Sequence, residues 1–196
     1  MKKIISTYIV ITLFTACTSG LSHTEAEGLI SKVIGLPKTY IHTVYNKKRL
    51  CWGSDLTQFG NDGLITFDTH HSWEERIDVF VTAKGKPWYV GKNSKGWQFK
   101  MYRIVFGSVT GISMNESKTI ATIRFTLKAD GITPFARSLA NGPGPCNTSP
   151  AIEFDLDKPV NSELIFRKFD TGWQLDEEAS GKNLEELMNN IKIHTI

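Results

Sequence analysis

The chain has 196 residues, of which 23 are basic, 20 are acidic and 40% are hydrophobic. That length is enough for one domain with a substantial apolar core. The formal charge of +3 comes without a run of basic residues, so we expect no nucleic-acid partner.

The first segment has the order of residues that is typical of secretory signal peptides. Lys2 and Lys3 are basic, and a mostly apolar run follows over 4–14. This run is shorter than the roughly 20 residues that a helix needs to span a bilayer. We therefore predict that residues 1–16 are a signal peptide, which is removed on export.

The residues at the end of this segment are Phe14-Thr15-Ala16-Cys17. They resemble the lipobox of bacterial lipoproteins, although that family prefers Leu at the position of Phe14. The resemblance covers only the signal and the anchor. It implies cleavage before Cys17 and acyl chains such as palmitate on that cysteine, which would hold the protein at a membrane. Because Thr18 is not Asp, it also implies the periplasmic face of the outer membrane in a host with two membranes.

The first helix is predicted after a short lipidated linker at 17–23. Thr24 and Glu27 have the spacing of a capping box, and Gly35 followed by Pro37 predicts the end of the helix. Five apolar residues recur at helical spacing, which predicts a stripe that packs on a sheet: Ala26, Leu29, Ile30, Val33 and Ile34.

A dense polar cluster lies at 68–75. His70, His71 and Glu74 are residue types that bind a divalent transition metal or act as a base. A solvated loop before the next strand accounts for the same residues. The chain has no G-x-S-x-G motif. We therefore expect no metal, no cofactor and no enzymatic activity, with a metal-assisted hydrolase that uses the histidines as an alternative.

Alternation of apolar and polar residues predicts an antiparallel sheet from Ile77 onwards. A change in the apolar phase predicts a β-bulge near Arg103. The predicted strands lie at 77–81, 87–91, 97–106, 121–127, 152–156 and 162–169, with a further candidate at 40–45.

A long loop rich in glycine and proline is predicted over 133–150. Cys146 lies in this loop, and Cys51 lies beside Trp52. Once Cys17 is lipidated, the other two cysteines form an even pair in an oxidising compartment, which predicts a disulfide between them.

The chain ends in a predicted amphipathic helix, capped by Ser180 or Asn183. The sum is an α+β fold over 24–196. It has a curved antiparallel meander sheet with an N-terminal helix packed on it and a C-terminal helix. The order of elements is similar to that of cystatin-like or NTF2-like architectures.

These features predict a binding or accessory module of the cell envelope, whose partner is a protein or the cell wall. Function often lies on loops over a rigid scaffold and on exposed aromatic residues. The candidate binding residues are Trp88, Tyr89, Arg137, Asn141 and Pro143. An immunity or inhibitor lipoprotein, which would insert the loop 141–150 into a toxin or a lysozyme-like enzyme, is a further alternative.

Overall fold

The computed structural model describes residues 20–45, 54–69, 77–141 and 155–190. In these residues the fold is α+β, as the sequence predicts. A strongly curled antiparallel sheet has the shape of half a barrel, with one helix near the N-terminus and another after the last strand. None of the described helices is long and apolar enough to cross a membrane.

Four helices and eight strands lie in the described ranges. The helices are α1 (His23–Ile34), α2 (Ser54–Asn61), α3 (Pro134–Asn141) and α4 (Glu177–Asn190). The strands are β1 (Lys38–Tyr45), β2 (Ile65–Thr69), β3 (Ile77–Val81), β4 (Tyr89–Lys92), β5 (Gly96–Met114), β6 (Ile120–Asp130), β7 (Val160–Phe169) and β8 (Gly172–Leu175). A short 3-10 turn, Lys86–Trp88, precedes β4.

The main sheet is built around β5, which has 19 residues. β1 pairs with one edge of the first half of β5, and β4 and then β6 pair with the other edge. β7 and β8 continue the sheet from β6, and every pairing is antiparallel. β2 and β3 form a separate two-stranded sheet.

The predicted strands at 40–45, 121–127 and 162–169 are confirmed, and they lie within β1, β6 and β7. The strand at 77–81 is also confirmed, but it pairs with β2 and not with the main sheet. The prediction at 152–156 is wrong in its described part, because residues 155–158 form a turn and a bend.

The β-bulge predicted near Arg103 lies two residues earlier, at Met101. Met101 is the extra residue where β5 pairs with β1, so that Met101 and Tyr102 are both buried. Two further register shifts, at Gly107 and Thr110, disturb the pairing with β6. Since bulges bend a strand and increase its twist, these three positions explain the strong curl of the sheet.

The apolar stripe of α1 packs on the sheet as predicted, but the helix begins earlier. Ser22 and not Thr24 is the cap: the N–H of Glu25 donates to Ser22 Oγ at 3.2 Å, and the N–H of Ser22 donates to Glu25 Oε2 at 2.9 Å. Both positions have capping-box spacing. The residue before Ser22 is buried Leu21, whereas the residue before Thr24 is exposed His23, and an apolar residue before the cap favours the first choice.

The last helix, α4, also begins before its predicted cap. Asp176 Oδ1 accepts the N–H of Ala179 at 3.2 Å, so the helix starts directly after β8. Ser180, a predicted cap, instead lies inside the helix and is fully buried. Its hydroxyl accepts the N–H of Ile165 at 2.8 Å and donates to the C=O of Ile165 at 3.1 Å. This double contact covers the edge of β7 where β8 no longer pairs with it.

Two short helices, α2 and α3, lie where the sequence predicts no helix. α3 lies inside the predicted loop 133–150. The loop prediction is therefore wrong for 134–141. Thr133 Oγ1 accepts the N–H of Ala136 at 3.3 Å and donates to the C=O of Lys100 at 2.9 Å, which caps α3 and ties it to β5. Pro134 occupies the first helical position, where proline is favourable.

Candidate functional site

Three phenylalanine side chains fasten α2 and α3 to the main sheet. Phe135 of α3 stacks on Phe99 of β5, with ring centroids 4.2 Å apart and planes 25° apart. Phe59 of α2 packs edge-on against Phe135 at 4.8 Å. All three rings are fully buried. Because aromatic pairs contribute beyond their buried area, this cluster sets the relative position of the two helices.

The opposite faces of the same helices are polar. In α3 the core side chains Phe135 and Leu139 are four positions apart, and Arg137 and Asn141 lie on the opposite side, with buried Ser138 at the border of the two faces. In α2 the polar Gln58 and Asn61 flank the buried Phe59 in the same way. A helical period of 3.6 residues produces this division into an apolar and a polar face.

A tight turn at 82–85 closes the space between the two helices from one side. Thr82 Oγ1 donates to the C=O groups of Gly63 and Leu64, at 2.8 and 3.0 Å. Gly85 approaches so closely that a Cβ there would lie 2.1 Å from the carbonyl oxygen of Leu64. Lys84 Nζ donates to the C=O of Asp62 at 2.7 Å, so its ammonium group stays at the C-terminal end of α2.

Together these elements form a cleft of about 570 Å³, which we call the α2–α3 cleft. Carboxamide, hydroxyl, ammonium and guanidinium groups line it, and apolar surface lies between them. Its walls are Gln58, Asn61, Asp62, Lys84, Ile132, Pro134, Arg137, Ser138 and Asn141.

Arg137 forms an ion pair at the rim of the cleft. Its Nη1 and Nη2 donate to the two carboxylate oxygens of Asp157, at 2.5 and 2.7 Å. The hydrogen bond from Arg137 holds the pKa of the Asp157 carboxyl below its ordinary value. The pair links α3 to the turn that precedes β7, and its fork-to-carboxylate geometry fixes the direction of the guanidinium.

The Ser138 hydroxyl is the unusual polar group of the cleft. Ser138 is only 6% exposed, and its Oγ has no hydrogen-bond partner among the described residues. Burial of a hydroxyl without a partner costs about 1–3 kcal/mol of folding free energy. A ligand group that enters the cleft would satisfy this oxygen.

The predicted binding residues fall in two places. Arg137 and Asn141 line the α2–α3 cleft. Trp88 and Tyr89 are half-buried, and the Tyr89 ring lies 5.6 Å from Phe99, on the aromatic cluster and not in the cleft. The structure therefore does not join these four residues into one surface.

Several predicted residues lie outside the described part of the chain. These are the lipidation site Cys17, the proposed disulfide partners Cys51 and Cys146, the metal candidates His70, His71 and Glu74, and Pro143 of the glycine- and proline-rich segment. Their predictions remain as the sequence states them. Within the described ranges, no group of three His, Cys, Asp or Glu side chains is placed to hold a metal ion.

Sequence reasoning did not select Ser138, Asn61 or Lys84 as site residues. A signal for α3 was present, because Thr133 and Pro134 form a cap followed by a first-turn proline, and apolar residues recur at helical spacing after them. A helix over 134–141 would have placed Ser138 beside Arg137 and Asn141. The position of Lys84 depends on a tertiary contact that no local pattern shows.

No family model, no curated protein and no solved structure matches this chain.

Replacement of Ser138 by alanine tests whether its hydroxyl is unsatisfied. We expect the free energy of unfolding of Ser138→Ala to stay unchanged or to rise by up to about 1 kcal/mol, because an unpaired buried hydroxyl is removed. The matched control is Ser180→Ala, which should lose about 1–3 kcal/mol, because the buried N–H of Ile165 loses the hydroxyl that accepts its hydrogen bond. Urea titration measures both, and equal losses in the two variants would show that Ser138 is also bonded.

The ion pair at the rim predicts a pH dependence. Because the pKa of Asp157 is lowered in the folded protein, its contribution to stability is complete above the ordinary aspartate pKa of about 3.9 and is lost as the pH falls through the lowered value. Asp157→Asn should therefore melt below wild type at neutral pH, and the two curves should converge in acid. Asp170→Asn, at an exposed turn, is the control for the loss of a carboxylate. A difference in melting temperature between wild type and Asp157→Asn that stays the same in acid would contradict the stabilising role of the ion pair.

Proposed function

We propose that this protein is a lipoprotein of the bacterial cell envelope that acts as a binding or accessory module, and that the α2–α3 cleft is its recognition site. The partner is a polar segment of an envelope protein or of the cell wall. The protein binds that segment and does not transform it.

The observation that carries the binding role is the buried hydroxyl of Ser138. Most buried polar groups have a hydrogen-bond partner, so a group with none among the residues that the structure describes calls for an explanation. Ser138 lies in the wall of a preformed cleft that Arg137 and Asn141 also line. A bound partner would supply the missing hydrogen bond, which explains the hydroxyl better than a role in folding.

The chemistry of the walls defines what the cleft would bind. Gln58, Asn61 and Asn141 offer both donors and acceptors, while Lys84 offers a cation whose charge is not neutralised by the backbone carbonyl that it contacts. Such a surface suits peptide amides, sugar hydroxyls or a carboxylate. Ile132, Pro134 and the aliphatic parts of the polar side chains add apolar surface between these groups.

The envelope location is supported by the sequence alone. The basic start, the short apolar run and the lipobox-like residues before Cys17 are the features that carry it. Acyl chains on Cys17 would hold the protein at the periplasmic face of the outer membrane in a host with two membranes. The inhibitor alternative depends on the loop 141–150, of which the structure describes only Asn141, and the hydrolase alternative depends on the histidine pair, which lies outside the described residues. Both stay predictions.

The anchor predicts a response to globomycin, which blocks the signal peptidase of lipoproteins. Cells that express the full chain should accumulate the precursor with residues 1–16 attached, because cleavage before Cys17 fails. An immunoblot resolves the two lengths. The control is Cys17→Ser, which should give the same pattern with and without the drug. A wild-type protein that is processed normally under globomycin would contradict the anchor.

The cleft predicts site-specific cross-linking in living cells. A benzoylphenylalanine at exposed Asn141 should form an adduct under ultraviolet light, because the ring lies at the cleft rim. The same residue at Lys128, exposed on the outer face of β6, should not. A discrete band that disappears after protease treatment indicates a protein partner, and sedimentation with the wall indicates a cell-wall partner.

The variant Ser138→Ala provides the control for this cross-link. It should weaken the adduct at position 141 severalfold while the protein level and the melting temperature do not fall, because the variant loses the contact to the partner and no contact within the fold. Equal adducts at positions 141 and 128, or an adduct that Ser138→Ala leaves intact, would overturn the assignment of the cleft.

A further inference from the structure

The residues just before α1 are held in place by contacts with the rest of the fold. Leu21 is buried, and Ser22 caps α1 directly after it. Gly20 lies against the last residue of β5, so that a Cβ on Gly20 would be 2.5 Å from Met114 Cε. Gly20 is therefore held at the far end of β5.

Two turns meet at this end of the sheet, one between β5 and β6 and the other between β7 and β8. The turn between β5 and β6 is held by Asn115, whose Oδ1 accepts the N–H of Thr119 at 2.8 Å. The C=O of Thr119 then accepts the N–H of Lys168, also at 2.8 Å, which ties this turn to the end of β7. This hydrogen bond holds the β5–β6 turn and the end of β7 together on the side of the sheet where Gly20 lies.

This tip surface, which consists of Met114, Lys118, Lys168 and Phe169, is partly apolar. Met114 is 36% exposed and Phe169 is 50% exposed. Three other large hydrophobic residues of the described chain are similarly exposed, and they lie on β1, β3 and β4. Lys118 and Lys168 are exposed as well, with the Nζ of Lys168 5.9 Å from the centre of the Trp173 ring.

The sequence limits the distance between this surface and Cys17. Cys17 is three residues before Gly20, and a chain extends at most about 3.6 Å per residue, so their Cα atoms are within about 11 Å of each other. If Cys17 carries acyl chains, as the proposed function holds, the lipid surface lies within that reach of Gly20 and Met114.

We infer that the tip surface lies on the membrane that holds the anchor, with Phe169 and Met114 in the boundary between headgroups and acyl chains. Apolar side chains such as Phe enter this boundary in proteins that lie on a membrane, and lysines extend their charged ends from it towards water. The inference rests on the proposed acylation of Cys17, and it adds which face of the protein meets the lipid.

Apolar contact and not net charge carries this orientation. Glu116 and Asp170 are also exposed in the two turns, so they balance Lys118 and Lys168. A weak contact is sufficient, because the tether makes binding intramolecular and raises the effective concentration of lipid at the tip.

The test measures the depth of the tip in a bilayer. Phe169 is replaced by p-azidophenylalanine in the full, membrane-purified protein, which is coupled to a nitroxide and reconstituted in vesicles of phosphatidylethanolamine and phosphatidylglycerol. Phe80, which is 55% exposed on β3, is the matched control. Collisions of the nitroxide with lipid-soluble oxygen and with a water-soluble nickel chelate are compared by electron spin resonance.

We expect the ratio of oxygen to nickel collisions to be several-fold higher at position 169 than at position 80. A label at Lys118 should give a ratio like that at position 169. It replaces the label at position 169 if that variant does not fold. Equal ratios in a protein whose mass shows acyl chains on Cys17 would overturn this orientation and leave the anchor standing. A mass without acyl chains would overturn the anchor and the orientation together.

Discussion

The stacking of Phe135 on Phe99, with Phe59 against its edge, is the contact on which the candidate site depends. α2 and α3 have eight residues each, and isolated helices of that length are not stable in water. The buried rings supply the tertiary packing that both helices need. The polar faces then have to point away from the core and towards each other. The α2–α3 cleft is therefore a consequence of how the aromatic cluster is packed.

Long periodic patterns made most of the fold predictable. The alternation over 121–127 predicted the middle of β6, and the stripe from Ala26 to Ile34 predicted α1, because each pattern repeats often enough to exclude other periods. The closing helix was predicted from the same kind of repeat. What failed at α1 and α4 was the position of the cap. Two overlapping capping boxes occur before α1, and only the burial of Leu21 decides between them.

The tertiary contacts could not be predicted from the sequence, and the short helices left only weak signals in it. Eight residues give little more than two turns of helical period, and the run of glycine and proline after Asn141 suggested a loop for the whole region. Arg137 and Asn141 were selected for that loop, and α3 places both in the cleft. Ser138 could not be selected, because its hydroxyl is notable only once the surrounding residues have buried it without a partner.

The length of β5, which has nineteen residues, also determines how far the α2–α3 cleft lies from the tip surface. Met101 accepts the N–H of Thr133 next to the cap of α3, while Met114 touches Gly20 thirteen residues later. At about 3.3 Å per residue the strand covers roughly 40 Å of path between these points, less where the sheet curls. With the tip surface on lipid, the cleft would stand tens of ångströms above the bilayer on a hydrogen-bonded sheet. A partner would then reach the cleft without touching the membrane. A longer linker after the anchor would not replace the sheet, because a linker does not fix the direction in which the cleft is held.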